Sequence, residues 1–203
     1  MKLYPSHFYH IYNHANGSEN LFYETANYKR FLEGLQVYIM PYAEIHAYCL
    51  MPNHFHLLIR VHNPSELNLA LIEKQSVMDL IGMEFPKKDR LKTFILNPEQ
   101  IVSKQFSDFF NAYSQYLNRR QERKGNLFRR GFKSKVVDDS NYLKHLLRYI
   151  HKNPVNHKYT TSLVDWPWTS YFSYLNTLRL KRGNLPLLEL FEDDLDFYLW
   201  HLG

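Results

Sequence analysis

The chain has 203 residues, 45% of them hydrophobic, with one cysteine, a formal net charge of +5 and a pI near 9.1. That is enough apolar material for one sizeable core, and the lone Cys49 excludes an internal disulfide and a cysteine-rich zinc site. No run of 18 apolar residues occurs and MKLYPSHFYH lacks an apolar leader, so a cytoplasmic protein without membrane contact is expected.

HFYHIYNH (7–14) alternates, with Phe8, His10, Tyr12 and His14 on one face, and predicts a first strand. ANGSEN reads as a turn. A helix is expected from about Ala26 to Met40, stopped by Pro41. A second strand near Glu44–Leu50 and a third at His54–Val61 are joined so tightly at Met51-Pro52-Asn53 that they should form an antiparallel hairpin. Ser65 offers an N-cap for a second helix with Leu67, Leu71, Ile72 and Val77 as its stripe. Residues 82–98 have no steady period and read as an insertion or long loop.

From about Glu99 a long helix is predicted to run into a basic stretch and to break at Gly125-Asn126. FKSKVV (132–137) reads as a strand. Asp138, Asp139 and Ser140 then supply capping groups for a helix from about Asn141 to Lys152, stopped by Asn153-Pro154. The end, LLELFEDDLDFYLWHL, carries five carboxylates and no Lys or Arg; it is expected to be an acidic amphipathic helix that folds back toward the basic region. The order of elements predicts an α+β fold, a ferredoxin-like antiparallel sheet with helices on one face. We expect one domain over 1–178 and a C-terminal extension, 179–203, packed on it.

Three patterns carry chemistry. His54 and His56 sit two apart in MPNHFHLLI, so on a strand they share a face while Phe55, Leu57 and Ile59 point into a core. Two neutral imidazoles so placed can hold one divalent metal, though the same pattern also serves as a structural or exposed pair. On the late helix, Leu143, Leu146, Leu147 and Ile150 form an apolar stripe, and Tyr142, His145, Tyr149 and Asn153 adjoin it. Tyr149 and Asn153 are stacked i, i+4 neighbours if the last turn stays helical. A phenol can be a nucleophile and an amide oxygen a ligand for a hard ion; a half-buried packing tyrosine is the other reading. Finally, Arg119, Arg120, Arg123, Lys124, Arg129, Arg130, Lys133 and Lys135 face only Glu122 within residues 118–136. Such a focus of charge, interleaved with Phe128 and Phe132, suits nucleic acid, or is a solvated basic surface.

MPNHFHLLI followed by RYIHKNPV resembles the single-tyrosine HUH transposases, and among them the REP-associated tyrosine transposases. HUH denotes His-hydrophobic-His, matched by His54-Phe55-His56. YHIYNHANGSENLF and GNLFRRGFKSKVV are similar to the family's first strand and to the stretch before its tyrosine helix, although His14 stands where an arginine is common. The resemblance runs from about Tyr9 to Tyr174. It implies Tyr149 as the nucleophile, and His54, His56 and Asn153 as ligands of Mg²⁺ or Mn²⁺. It further implies cleavage and rejoining of single-stranded or hairpin DNA through a 5′-phosphotyrosine, by a monomer or a homodimer. The basic segment would hold DNA.

Three other readings stand beside this one. A catalytically silent, domesticated hairpin-binding protein would keep the basic surface but form no adduct. An RNA-binding ferredoxin-like domain would place stacking aromatics where this chain has histidines. A metallohydrolase would need a carboxylate beside the histidines, and MPNHFHLLIRV has none.

Overall fold

The computed structural model describes residues 1–70, 73, 97–180 and 187–202. The expectations for Leu71, Ile72 and Val77, and for most of the 82–98 segment, lie outside these residues. Two compact units interleave along the chain. The first comprises Met1–His7, Lys29–Glu44 and Arg60–Gly125; the second comprises Phe8–Tyr28, Ile45–Ile59 and Asn126–Gly203. Among the described residues, no helix is long and apolar enough to cross a membrane.

Four strands, β1 (Phe8–His14), β2 (Ala43–Met51), β3 (His54–Val61) and β4 (Lys133–Val137), form one sheet in the order β2-β3-β1-β4. That is the order of a ferredoxin-like α+β fold, as expected. β1 and β4 are antiparallel, with Tyr12 opposite Lys133 and His10 opposite Lys135.

Most of the sheet belongs to the second unit, together with α3 (Ser140–Asn156), α4 (Tyr171–Leu180) and α5 (Asp194–Leu202). Its core joins Ala47, Cys49, Met51 and Leu58 of the sheet to Leu143, Leu146, Leu147 and Ile150 of α3. Tyr171 and Tyr174 of α4 and Phe197 of α5 complete it. The apolar stripe predicted for α3 is therefore the buried one. The acidic tail is tied to α3 itself: Asp196 lies 3.8 Å from Lys144, and Trp200 Nε1 donates to Lys144 O at 3.4 Å.

In the first unit, α1 (Thr25–Tyr38), from Lys29 on, packs on α2 (Pro98–Arg120) through Phe31, whose ring centre is 4.7 Å from that of Phe109 and 5.1 Å from that of Tyr113. The helix that follows β3 is helical over 64–70, and its cap is Asn63 rather than Ser65. Asn63 Oδ1 accepts from the amides of Ser65 and Glu66, and Glu66 returns the bond to the Asn63 amide at 2.8 Å. Pro64 at the first helical position needs no donor, so this capping box outcompetes a later start.

Two helix ends differ from expectation. α2 stops at Arg120, before Gly125, because Glu122 takes φ +49° and the Arg123 amide reaches back to Asn118 O at 2.9 Å. This is a Schellman end with a glutamate in the left-handed position; Arg123 and Lys124 therefore leave the helix. α3 does not stop at Asn153-Pro154 but continues to Asn156. The amides of His157 and Tyr159 donate to Asn153 O and Pro154 O, so proline in the last turn forfeits one bond without ending the helix. Asn153 accordingly keeps its helical place.

Candidate functional site

β3 begins directly after the Pro52-Asn53 turn. That turn is pinned by the loop after β1: Ala15 N donates to Asn53 O at 2.8 Å, and Leu21 N and Phe22 N donate to Pro52 O. Alternation along β3 sends Phe55, Leu57 and Ile59 fully inward and puts His54 and His56 on the other face, where they are also buried. The neighbouring strand β1 supplies more imidazoles to that face. His14 stacks on His54 with ring centres 4.7 Å apart, and His10 stacks on His56 at 5.0 Å.

α3 closes over these rings. The Asp139 side chain caps it, accepting from Tyr142 N at 2.7 Å. Its late turns bring Asn153 Oδ1 to 3.1 Å from His54 Nε2. One turn earlier, Tyr149 meets His56 edge to face at 5.4 Å and His10 at 6.1 Å. One turn later, the His157 ring lies 5.0 Å from that of His54. Tyr149 is 44% exposed, whereas Asn153 is fully buried. A phenol open to solvent beside an amide closed to it is a division that would suit attack on an incoming substrate.

Burial keeps the imidazoles neutral. Desolvation pushes His54 down to about 4 and His56 to about 2, with neighbouring histidines adding to both. His10 falls to about 4 by desolvation and by the charge of Lys135; His14 is lowered by desolvation, then by Arg129, Lys133 and His157. Neutral imidazole is the form that ligates metal.

The donor set fits a divalent ion. His56 Nδ1 is taken by His10 Nε2 at 2.9 Å, which leaves His56 Nε2 as the nitrogen that could ligate. His54 Nδ1 is 2.7 Å from Asn53 Oδ1; a proton there turns the Nε2 lone pair toward the lone pairs of Asn153 Oδ1. Two opposed acceptors are relieved by a cation between them. Asn153 Nδ2, buried with no hydrogen-bond partner, is a cost of aiming the oxygen this way. The set is two imidazoles and one amide; among the described residues, no group of three His, Cys, Asp or Glu side chains could hold a metal.

The eight basic residues divide. Arg129, Arg130, Lys133 and Lys135 belong to the second unit, and the Arg129 amide donates to His14 O at 2.9 Å. Arg119, Arg120, Arg123 and Lys124 belong to the first, at and beyond the end of α2. His10, Tyr12 and His14 were legible as one face of β1, but nothing local tied that face to β3. His157 continues the four-residue spacing of Tyr149 and Asn153, a signal masked by the expectation that Pro154 ends the helix.

In sequence, 128 residues of the chain, 62% of it, align at 27% identity with a Haemophilus influenzae protein named, provisionally, as a REP-associated tyrosine transposase. The chain resembles the REP-associated tyrosine transposases. The alignment spans 57% of that protein's length. A solved REP-associated tyrosine transposase, bound to a REP hairpin, shares the fold with a TM-score of 0.55 and 14% identity, over 87% of this chain and 83% of the other. No protein-family model matches the chain. The solved structure agrees with the α+β fold of this chain.

Proposed function

We propose that the protein is a DNA strand-cleaving and strand-transferring enzyme of the single-tyrosine HUH type, acting on single-stranded flanks of hairpin or repeat DNA. The observation that carries this reading is the meeting of Tyr149 and Asn153, one turn apart on α3, with His56 and His54 on β3.

In this reading Tyr149 Oη attacks phosphorus in line. The Tyr149 oxygen–phosphorus bond forms and the bond to the 3′-oxygen breaks. The phenol gives up its proton and the departing oxygen takes one up, leaving a 5′-phosphotyrosine and a free 3′-hydroxyl. Because the phosphodiester is exchanged rather than hydrolysed, another 3′-hydroxyl can reverse the step and rejoin strands. His54, His56 and Asn153 would hold Mg²⁺ or Mn²⁺. A bound ion of that kind supplies charge neutralisation at a non-bridging phosphate oxygen. His10 and Asn53 orient the two histidines, and the basic side chains of β4 and the preceding loop hold the DNA backbone.

The test is a covalent-adduct assay with labelled hairpin oligonucleotides from DNA flanking the gene, in Mn²⁺, on a denaturing gel. We expect a shifted protein band carrying the fragment 3′ of the cut, absent in Tyr149→Phe. An adduct that persists in Tyr149→Phe overturns the nucleophile. Tight hairpin binding with no adduct in the unaltered protein turns the assignment to the silent hairpin-binding reading.

A further inference from the structure

Beside Tyr149 lies a cavity of about 450 Å³ whose lining includes His10, Tyr12, Lys135, Tyr142 and His145. Of its lining, the proposed cleavage chemistry uses His10, His56 and Tyr149. From this cavity we infer a subsite for one unpaired nucleotide of the DNA strand, adjacent to the scissile phosphate, with the base stacked on Tyr142 and Tyr12 and its phosphate on Lys135. The inference deepens the proposed function and rests on it for the subsite's place beside the cut.

Four observations support it. The volume lies in the range of small-ligand sites, about 300–1,000 Å³. The walls are largely aromatic and no carboxylate lines them, so an anion with a flat apolar part suits both features. Each aromatic wall carries a cation. Lys135 Nζ donates to the Tyr142 hydroxyl at 3.1 Å and sits 4.5 Å from its ring centre, and Lys133 Nζ sits 5.9 Å from that of Tyr12. An ammonium has three donors, so Lys135 keeps two for a phosphate after bonding Tyr142.

The register explains the arrangement. Lys133 and Lys135 are two apart on β4 and lie opposite Tyr12 and His10 of β1, so the sheet itself sets a cation beside each ring. Tyr142, His145 and Tyr149, spaced three and four apart on α3, line the opposite wall. Aromatic faces with adjacent cations stack any base while gripping the backbone, which is how unpaired strands are held. The subsite therefore takes an unpaired base at the position next to Tyr149.

The test is saturation-transfer NMR on the full-length protein without metal. The probes are the trinucleotides dT3, dA3, dC3 and dG3, with inorganic phosphate as an anion-only competitor. We expect base protons of at least one trinucleotide to be saturated. We expect its affinity to fall at least tenfold in Tyr142→Ala and several-fold in Lys135→Gln, with melting temperatures confirming that both fold. Should Tyr142→Ala unfold, Tyr12→Ala and Lys135→Gln decide. Absence of binding by every trinucleotide, undiminished binding in the variants, or complete displacement by equimolar phosphate overturns the subsite. Failure of the adduct assay in unaltered protein would reject cleavage yet leave this binding result standing, so the two failures are distinguishable.

Discussion

His54 Nε2 and Asn153 Oδ1 meet at 3.1 Å across 99 residues of sequence, while Nδ1 of the same imidazole lies 2.7 Å from Asn53 Oδ1. A neutral imidazole carries one proton, and it can serve only one of these oxygens. With the proton on Nδ1, Asn53 fixes the tautomer and the Nε2 lone pair points at Asn153 Oδ1, where a cation would have to sit between them. With the proton on Nε2, the two late residues simply hydrogen-bond. In the proposed reading, Asn53 in the β2–β3 turn selects the tautomer that would hold a metal ion.

Asn53→Ala is accordingly expected to weaken Mn²⁺ binding by roughly 10- to 100-fold, the usual effect of losing a group that orients a ligand. Asn153→Ala should weaken it at least as much. Paramagnetic-resonance titration of free Mn²⁺ gives the constants directly, independent of cleavage. Affinity unchanged in both variants would refute the donor set.

The buried imidazoles also fix a pH dependence. His10, His54 and His201 are each lowered to about 4 and His151 well below its usual value, all chiefly by desolvation. The folded state therefore holds these groups neutral, while the unfolded chain protonates them near 6.5. Falling pH then favours the unfolded chain, by at most ~1.4 kcal/mol per pH unit for each group. Melting temperature should be flat from pH 8 to 7 and fall steadily from about 6.5 toward 4. Metal binding, which needs neutral His54 and His56, should persist to about pH 5. Melting temperatures that rise on acidification would contradict the buried neutral cluster.

Much of this was legible in the sequence because its signals are local. Alternation gave β1 and the His54–Val61 strand, and Tyr149 and Asn153 could be paired by spacing alone. What escaped depended on partners distant in sequence or on competition between local rules. Asn63 beat Ser65 as a cap because Glu66 completes a box around it. Pro154 was overruled by the two amides that bond beyond it. The pairing of His10 with His56 needed the β3–β1 adjacency, which no local pattern encodes.

The same limit applies to the C-terminal helix, which a chain of hydrogen bonds joins to α3. His201 Nδ1 donates to Phe197 O at 2.8 Å, so its Nε2 must accept from His151 Nδ1 at 3.0 Å. His151 Nε2 then accepts from Ser170 Oγ at 2.8 Å. Both histidines are fully buried, and His151 lies between Tyr149 and Asn153 in the sequence of α3. His201→Ala strands the His151 donor and leaves a void, which should cost ~2–4 kcal/mol. Urea unfolding measures it, and a loss below ~0.5 kcal/mol would mean the chain of bonds does not form.

Gly34 sets two effects against each other. On propensity alone, alanine in the middle of α1 should be more stable by ~1 kcal/mol. A Cβ at that position, however, would lie 2.2 Å from Phe109 Cε2 and 2.8 Å from its Cδ2. Phe109 is buried and packed against Phe31, so its ring can yield only by disturbing the contact that joins α1 to α2. Overpacking of this kind costs ~1–3 kcal/mol, and an overlap this deep belongs at the upper end. Gly34→Ala should therefore lower stability by ~1–2 kcal/mol net. In a Phe109→Leu background, where the encroaching ring atoms are gone, the same substitution should be neutral or stabilising. Equal effects of Gly34→Ala in the two backgrounds, measured by urea unfolding, would show that the glycine is not there to admit the ring.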